Sequence, residues 1–408
     1  MCTILSNLPA KEAVRSSVLS SEWRSIWTTC PKLSFNAKDH VPRHGGKQYA
    51  QMFIDHVNAV LKKHHGKVVD NLEIKFVFES KLVYHLNSWI RFAMSSRTKN
   101  LSFDLAPLPE FWKYRNHYRF PFELLDMDSV SCLRCLQLRF VCFKPPPSQF
   151  PGFPNLRNIV RCDLDDELKV VQRPLSNLQY LRVKFCGFTK IEFHAAKLST
   201  FVYKGDCIPI ALHQAPEMEN AEICFCASTF RRGSAVVLNG LPHVPNLTLK
   251  ISVEVLETTW TSDSHYMFPQ LKHLQIILAV DHKHDDKILY LVPLLRAAPF
   301  IEHLEVHVSI FLSDHLCRQD IPQSEHKYLH LKKMHVTGFK ATKGQLQLLF
   351  HVVENAPAIE TLAVDTIQRQ YDLLDTYEIL PALRNSALDI VRDPLSKRLP
   401  PDTKLYLL

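Results

Sequence analysis

Glycine and long apolar runs are scarce in this sequence. Glycine supplies 10 of the 408 residues, well under the usual share of about 7%, which counts against folds built on many tight turns and against glycine-rich phosphate loops. No apolar run approaches the ~18 residues that a membrane-spanning helix requires, and the start of the chain lacks the charged and apolar regions of a signal peptide. These absences disfavour nucleotide-binding enzymes, membrane proteins and secreted proteins, and we expect a cytoplasmic or nuclear location.

Motifs for catalysis and for metal binding are also missing. The sequence contains no G-x-S-x-G, phosphate loop or kinase set. Cys132 and Cys135 have zinc-ribbon spacing but no second matching pair, and the acids of residues 281–286 are better explained as a solvated loop before a helix. The pattern HLEVH at 303–307 predicts a strand with both histidines and the glutamate on one exposed face, which is not a metalloprotease site. We therefore expect a non-enzyme with no cofactor and no metal.

The remaining composition is that of a folded chain with a modest excess of positive charge. Hydrophobic residues make up 46% and charged residues 22%, as in ordinary globular proteins. Lysine and arginine number 49 against 41 acidic residues, a net charge of +8, which favours an acidic partner but is below the charge of a dedicated nucleic-acid binder. The length exceeds that of one compact domain and predicts either two domains or one repeat array.

A short apolar pattern recurs along most of the chain. Its form is apolar-x-x-apolar-x-apolar, and successive copies start 20 to 35 residues apart, mostly within or just beyond the window of leucine-rich repeats. Clear copies begin at Leu133, Leu178, Leu198, Val244, Leu271, Ile301, Leu331 and Ile359, and weaker copies begin at Val69, Thr98, Leu156 and Met218. Because a short strand cannot bury its apolar side alone, such units stack and cover one another.

The sequence between two of these copies predicts a helix. Thr342 and Gln345 fit a capping box, apolar residues follow at 346, 349, 350 and 353 in helical spacing, and Pro357 ends the helix. Repeats of 20–23 residues between Leu133 and Met218 leave room only for a loop or a 3₁₀ turn.

The pattern therefore predicts an α/β fold, a leucine-rich-repeat solenoid with a curved parallel sheet and outer helices and loops. We place this solenoid at residues 69–382. Residues 1–35 are helical in pattern, and 36–68 form a connecting helical segment. The tail, 383–408, predicts a helix followed by a short strand that caps the last repeat.

The N-terminal segment carries two tryptophans that so short a helical pair cannot bury by itself. Trp23 and Trp27 must dock on the repeats or on a partner. The run LPAKEAVRSSVLSSEWRSIW, from Leu8 to Trp27, resembles the second half of a plant F-box, with little of the preceding helix present. Residues 330–366 are similar to the FBD-type segment, and the chain as a whole resembles the plant F-box/leucine-rich-repeat family related to FBD proteins.

This resemblance implies an adaptor in the ubiquitin conjugation pathway. In that family the F-box docks on the Skp subunit of a cullin-RING (SCF-type) ubiquitin ligase, and the repeats hold a protein substrate. The positions that match the F-box pattern, and would face the adaptor or pack beneath it, are Leu8, Pro9, Val14, Val18, Trp23 and Trp27. The alternative is a repeat scaffold that binds proteins but has lost ligase docking, because the F-box is truncated at its N-terminus.

The repeats also predict a surface for the substrate. Residues that alternate with the buried ones project into the concavity of the sheet. The basic residues at such positions are Lys75, Arg139, Arg182, Lys184, Lys204 and Lys250. We hypothesise that they receive an acidic or phosphorylated segment; the alternative is that exposed strand positions simply need to be polar.

One segment raises the question of nucleic acid. Residues 111–120, FWKYRNHYRF, interleave bases and aromatics, as single-strand binders do. Their position in the longest gap between repeats is more typical of an ordered loop packed by its own aromatics. A nucleic-acid binder is therefore the third alternative.

Overall fold

The structure is a computed structural model, and it describes twenty stretches of the chain. These are residues 27–37, 46–65, 68–77, 82–106, 118–142, 150, 153–160, 168–170, 177–184, 190–194, 196–213, 215–225, 236–237, 240–253, 268–281, 288–289, 291–311, 326–371, 377–380 and 386–408. The chain forms two compact units. The first unit comprises Met1–Leu198 and His213–Ala215, and the second comprises Ser199–Leu212 and Pro216–Leu408. The repeats predicted over 69–382 are thus shared between two units.

The first unit contains a parallel sheet with one strand for each repeat. Its described elements, in chain order, are β1 (Lys32–Asn36), α1 (Gly46–Lys63), β2 (Asn71–Lys75), α2 (Val83–Ser95), β3 (Asn100–Asp104), β4 (Tyr118–Arg119), α3 (Met127–Cys132), β5 (Cys135–Arg139), β6 (Val141–Cys142), β7 (Asn158–Val160), β8 (Leu168–Val170), β9 (Tyr180–Lys184) and β10 (Ile191–His194). Strands β1, β2, β3, β5, β7 and β9 pair in that order, all parallel. Short parallel pairs form between β4 and β6 and between β8 and β10.

Stacked aliphatic residues hold this sheet together. Leu72, Leu101 and Leu136 occupy one row across β2, β3 and β5, and each is at most 1% exposed. Full burial of such a side chain stabilises the fold by about 1.5–3 kcal/mol. The helices cover the same apolar side, where Phe53 of α1 stacks on Phe76 with ring centroids 4.7 Å apart.

Strand β1 was not expected from the helical pattern of residues 1–35. Leu33 and Phe35 are buried at 3% and 2%, whereas Ser34 between them is not. This alternation has the period of a strand, and β1 adds a further rung beside β2. The helical prediction was therefore wrong at Lys32–Asn36.

The second unit has the same plan with longer strands. Its described elements are β11 (Thr200–Gly205), β12 (Ile210–His213), β13 (Asn220–Phe225), β14 (Asn246–Val253), β15 (His273–Asp281), α4 (Leu291–Arg296), β16 (His303–Phe311), β17 (Lys333–Thr337), α5 (Lys343–Asn355), β18 (Thr361–Val364), β19 (Gln368–Tyr371), β20 (Tyr377–Leu380), α6 (Ser386–Arg398) and β21 (Lys404–Leu407). Strands β11, β13 to β18 and β21 form a parallel sheet, while β19 and β20 form an antiparallel hairpin. Every predicted repeat start is followed by a strand, which confirms the leucine-rich-repeat fold.

Helix α5 lies where the capping pattern predicted it. The carboxamide of Gln345, 3% exposed, accepts from the backbone N–H of Lys340 at 2.8 Å and donates to the carbonyl of Gly338 at 2.9 Å. Gly338 itself has φ +69°, and a β-carbon there would fall 1.9 Å from the carbonyl oxygen of Val308. Only glycine fits this turn, so the segment before α5 is fixed by both residues.

The predicted helix and strand of the tail are present as α6 and β21. Val391 and Leu395 are fully buried, and Arg398 Nε lies 2.8 Å from Glu354 Oε1 of α5. Strand β21 pairs in parallel with β18, which extends the sheet by one strand. Among the helices of the described residues, none is long and apolar enough to cross a bilayer.

Candidate partner-binding surface

The polar face of the first unit consists of the strand residues that alternate with the buried rungs. This is the face on which the alternating basic residues were predicted to lie. Register places Lys75, Asp104 and Arg139 side by side in one row of it. The two predicted basic residues therefore share a row, with a carboxylate between them.

Both of these basic residues have carboxylate partners within the protein. Lys75 Nζ lies 2.8 Å from Glu73 Oε1, and Arg139 Nη1 lies 3.3 Å from Asp104 Oδ2. Ser34 Oγ donates to Glu73 at 2.7 Å. The side chains of Lys75 and Glu73 are about one third exposed, and such ion pairs contribute only about 0–1 kcal/mol. A partner can therefore displace them at little cost, but the row is not a band of unpaired positive charge.

Arg182 and Lys184 lie on β9, on the same face. Arg182 is half-buried beside Val160 of β7. Lys184 is only 6% exposed, and both side chains have contacts within the protein. The expectation that Lys184 projects freely was wrong. A lysine can lie this deep because its methylene stem is apolar.

In the second unit, Lys204 and Lys250 share one row of the polar face. Cys224 stands between them. Lys204 is 3% exposed, which again differs from the expected exposure, and Lys250 Nζ lies 2.5 Å from Glu222 Oε1. The sequence placed these lysines in the right row but did not anticipate the acid that neutralises Lys250.

A hydrogen-bonded polar cluster centred on Glu305 occupies the neighbouring strands. Gln275 Nε2 donates to Glu305 Oε2 at 2.8 Å, and His273 Nε2 lies 3.0 Å from Glu305 Oε1. His307 Nε2 is 3.3 Å from Glu305 Oε2, and its Nδ1 lies 2.8 Å from Thr337 Oγ1. The hydrogen bonds from His273 and then His307 hold the pKa of Glu305 far below its usual range. The cluster therefore presents an ionised carboxylate that three side chains of the protein already contact.

This cluster corrects one sequence prediction. The residues of HLEVH at 303–307 do alternate on β16, with His303, Glu305 and His307 on one face, but His307 is 1% exposed. Its ring meets Thr337 of β17 in the same row and His335 edge-on at 6.1 Å. Equal offsets from the repeat starts place Gln275 and Glu305 in one row, so counting offsets would have revealed the cluster.

No metal site accompanies the cluster. Within the described part of the chain, no group of three or more His, Cys, Asp or Glu residues has the arrangement of a metal site.

The predicted F-box residues fall almost wholly outside the described stretches. Trp27 begins a 3₁₀ turn, Trp27–Thr29, directly before β1. Leu8, Pro9, Val14, Val18 and Trp23 lie outside the described residues.

The aromatic segment at 111–120 is described from residue 118 onwards. Tyr118 is 1% exposed, its hydroxyl donates to Asn87 Oδ1 of α2 at 2.6 Å, and burial raises its pKa far above the usual range. Phe120 packs edge-on against Phe122 at 5.3 Å. At its described end the segment thus packs into the unit, as predicted for a loop held by its own aromatics.

Two family models match the chain. The At1g61320/AtMIF1, LRR domain matches residues 60–158 and 153–382, and the F-box domain matches residues 1–35. Together with the parallel rungs, these matches define a leucine-rich-repeat protein with an N-terminal F-box. The chain belongs to the family of the At1g61320/AtMIF1 LRR domain, and the predicted F-box/LRR resemblance is confirmed.

Its relatives include several Arabidopsis thaliana proteins. The chain is 21% identical to F-box/FBD/LRR-repeat protein At1g13570 over 381 residues, 89% of this chain and 88% of that protein. It is 28% identical to F-box/FBD/LRR-repeat protein At3g52680, over 67% of this chain and 62% of the relative. With F-box/FBD/LRR-repeat protein At5g53840 the identity is 24%, over 48% of this chain and 43% of the relative. Several matches thus span less than two thirds of the relative's length.

Proposed function

We propose that this protein is the substrate-recognition adaptor of an SCF-type cullin-RING ubiquitin ligase. The observation that carries the proposal is the order of domains on one chain, an F-box match at 1–35 followed by repeat matches over 60–382. The F-box binds a Skp-type adaptor, the repeats bind a protein substrate, and other subunits transfer ubiquitin. The protein itself is not an enzyme, needs no cofactor and acts in the cytoplasm or nucleus.

The architecture of the repeats supports a role in recognition. Stacked aliphatic rungs fix the backbone, while the alternating positions present polar side chains in regular rows. On the polar faces, weak ion pairs such as Lys75 with Glu73 can exchange for partner contacts without loss of the core. We propose that the substrate meets the accessible basic residues of these faces, Lys75, Arg139, Arg182 and Lys250, whereas Lys184 and Lys204 are too deeply buried to contact it.

A retention assay with a purified plant Skp adaptor tests the docking step. The full chain should be retained by immobilised adaptor, whereas Trp23→Ala with Trp27→Ala should weaken retention roughly tenfold or more, because buried aromatics dominate such interfaces. Met52→Ala, at a position 65% exposed on α1, is the matched control and should bind as the unchanged chain does. Circular dichroism of each variant confirms that the repeats remain folded.

The same assay separates the alternative. If the folded chain is not retained by any Skp adaptor but still captures a protein substrate, the repeats act as a scaffold without ligase docking, and the adaptor role is refuted.

A further inference from the structure

A groove of about 570 Å³ lies at the edge of the first unit where its strands begin. Its cationic lining residues are Arg97, Lys99, Arg134, Arg157 and Lys197. Among the described residues that line it, none is acidic and none is aromatic. The groove is therefore strongly positive, and it is distinct from the polar face.

The backbone brings two of these arginines next to each other. Arg134 and Arg157 immediately precede β5 and β7, which pair in register. Arg157 N–H donates to the Arg134 carbonyl at 2.8 Å, and Arg134 N–H donates to the Lys99 carbonyl at 2.7 Å. The residues directly before successive strands therefore lie side by side, about 4.8 Å apart as in any sheet. In order they are Lys99, Arg134, Arg157 and Gln179.

The charges on these rungs are only partly compensated. Lys99 Nζ lies 2.7 Å from Asp70 Oδ1. Arg134 and Arg157 are exposed, and among the described residues neither guanidinium has a hydrogen bond or an ion pair. Like charges opposite each other on neighbouring strands are destabilising. The sequence has arginine at both positions, although an acidic residue at either one would remove the repulsion between the two guanidinium groups.

Other side chains complete the groove. Lys197 Nζ donates to Asn177 Oδ1 at 2.9 Å, and Asn177 Nδ2 donates to the Pro154 carbonyl at 2.5 Å. Asn155 is exposed beside them and donates to the Ser131 carbonyl at 2.7 Å. These bonds hold Lys197 over the far end of the groove.

We infer that this groove binds an acidic, phosphorylated segment of the protein partner, an assignment that rests on the proposed role in substrate recognition. Guanidinium groups bind phosphate through paired hydrogen bonds, and two adjacent arginines supply two such forks. From Lys99 to Gln179 the rungs span about 15 Å, the length of about five extended residues. Single-stranded nucleic acid fits less well, because its bases need aromatic side chains to stack on.

Fluorescence anisotropy on the full chain tests the assignment. The probe is a labelled peptide of about seven residues with two phosphoserines among aspartates, and its twin carries unmodified serines. We expect the phosphorylated probe to bind roughly tenfold tighter than the twin, and Arg134→Glu with Arg157→Glu to remove at least about 90% of that affinity. Replacement of both arginines by lysine should cost roughly threefold, because a point charge replaces each fork.

The matched control reverses two exposed lysines elsewhere in the unit. Lys62→Glu with Lys63→Glu, at the end of α1, makes the same change of net charge and should leave the affinity within about twofold. If the groove variant binds the probe as tightly as this control does, the inference is refuted. Thermal melting shows whether each variant is folded.

Two further probes test the class of ligand. If oligothymidylate or phosphatidylserine vesicles bind more tightly than the phosphopeptide, and the groove variant loses that binding, the site serves nucleic acid or membrane and the assignment to a peptide is overturned. The groove variant should still be retained by the Skp adaptor. If the unchanged chain does not bind Skp, only the adaptor role is refuted. The binding of phosphopeptide by the groove is tested separately, by the anisotropy experiment.

Discussion

The two units differ in the order of charges at the edge where their strands begin. There, one residue per repeat lies directly opposite its neighbour, at the same offset from each strand. Directly before β2, β3, β5 and β7 of the first unit the residues are Asp70, Lys99, Arg134 and Arg157, and directly before β15 to β18 of the second they are Lys272, Glu302, Lys332 and Glu360. These four residues of the second unit alternate in sign, whereas the first unit places three cations, Lys99, Arg134 and Arg157, side by side.

The alternating edge shows how neighbouring charges can neutralise one another. Lys332 Nζ lies 2.9 Å from Glu302 Oε2, and Lys272 Nζ lies 3.8 Å from Glu302 Oε1. The hydrogen bond from Lys332 lowers the pKa of the Glu302 carboxyl. Because the backbone ladder is the same in both units, the fold does not dictate the order of charges. The run of neighbouring cations in the first unit is therefore consistent with a binding function for this edge.

The largest expected effect concerns the rows of buried aliphatic residues that both units contain. Leu136→Ala in the first unit and Leu304→Ala in the second should each lower the free energy of unfolding by about 2–5 kcal/mol, because both rungs are at most 1% exposed and truncation leaves a cavity. Urea denaturation measures both losses. A loss below 1 kcal/mol at only one of the two sites would show that the cores of the two units are not packed alike.

An intermediate effect on stability is expected when one glutamate on the polar face of each unit is replaced. Glu305→Gln should lower the free energy of unfolding at neutral pH by about 1–3 kcal/mol, since the carboxylate accepts several hydrogen bonds. Glu73→Gln is the matched control, because Glu73 pairs only with Lys75 and Ser34 among the described residues, and should cost less than about 1 kcal/mol.

The contribution of the Glu305 carboxylate to the free energy of unfolding must also depend on pH. Its pKa in the folded state lies below the unfolded value of about 4.3. Its contribution is therefore complete above that value, declines as the pH falls below it, and is lost entirely only once the pH passes the much lower folded pKa. Urea denaturation at pH 7 and at pH 3 should show the difference between the unchanged chain and Glu305→Gln shrinking in acid. A difference that grows in acid would contradict the assignment.

The smallest effect tests the charge order itself. Arg134→Glu turns the first edge into an alternating one and should raise the free energy of unfolding by about 0.2–1 kcal/mol. Glu302→Lys removes the acid between Lys272 and Lys332, so that three cations stand side by side on the second edge, and should lower the melting temperature. Differential scanning calorimetry at low salt measures both, and the two shifts should diminish as salt is added. If both substitutions raise the melting temperature, or both lower it, the order of charges does not account for the difference between the two edges.

The sequence predicted those parts of the fold that local spacing determines. The strands follow the apolar pattern of each repeat, and α5 follows from the spacing after Thr342 and the stop at Pro357. Strand β1 was missed because the helical pattern was extended through residue 35, although Leu33 and Phe35 already alternate with Ser34.

The candidate surface was less predictable. Alternation placed Arg139 and Lys250 on the polar face, but their partners, Asp104 and Glu222, stand 35 and 28 residues away in sequence. Such pairs become visible only once the register between repeats is fixed. The groove was missed for a related reason, since Arg134 and Arg157 precede their strands and fall outside the pattern that alternation describes.

Gly338 has a genetic consequence. Every missense change at its codon introduces a β-carbon, and that atom would collide with the carbonyl oxygen of Val308. Natural variants at this codon should therefore be as harmful as the loss of a core leucine, even though the site carries no side chain that a partner could touch.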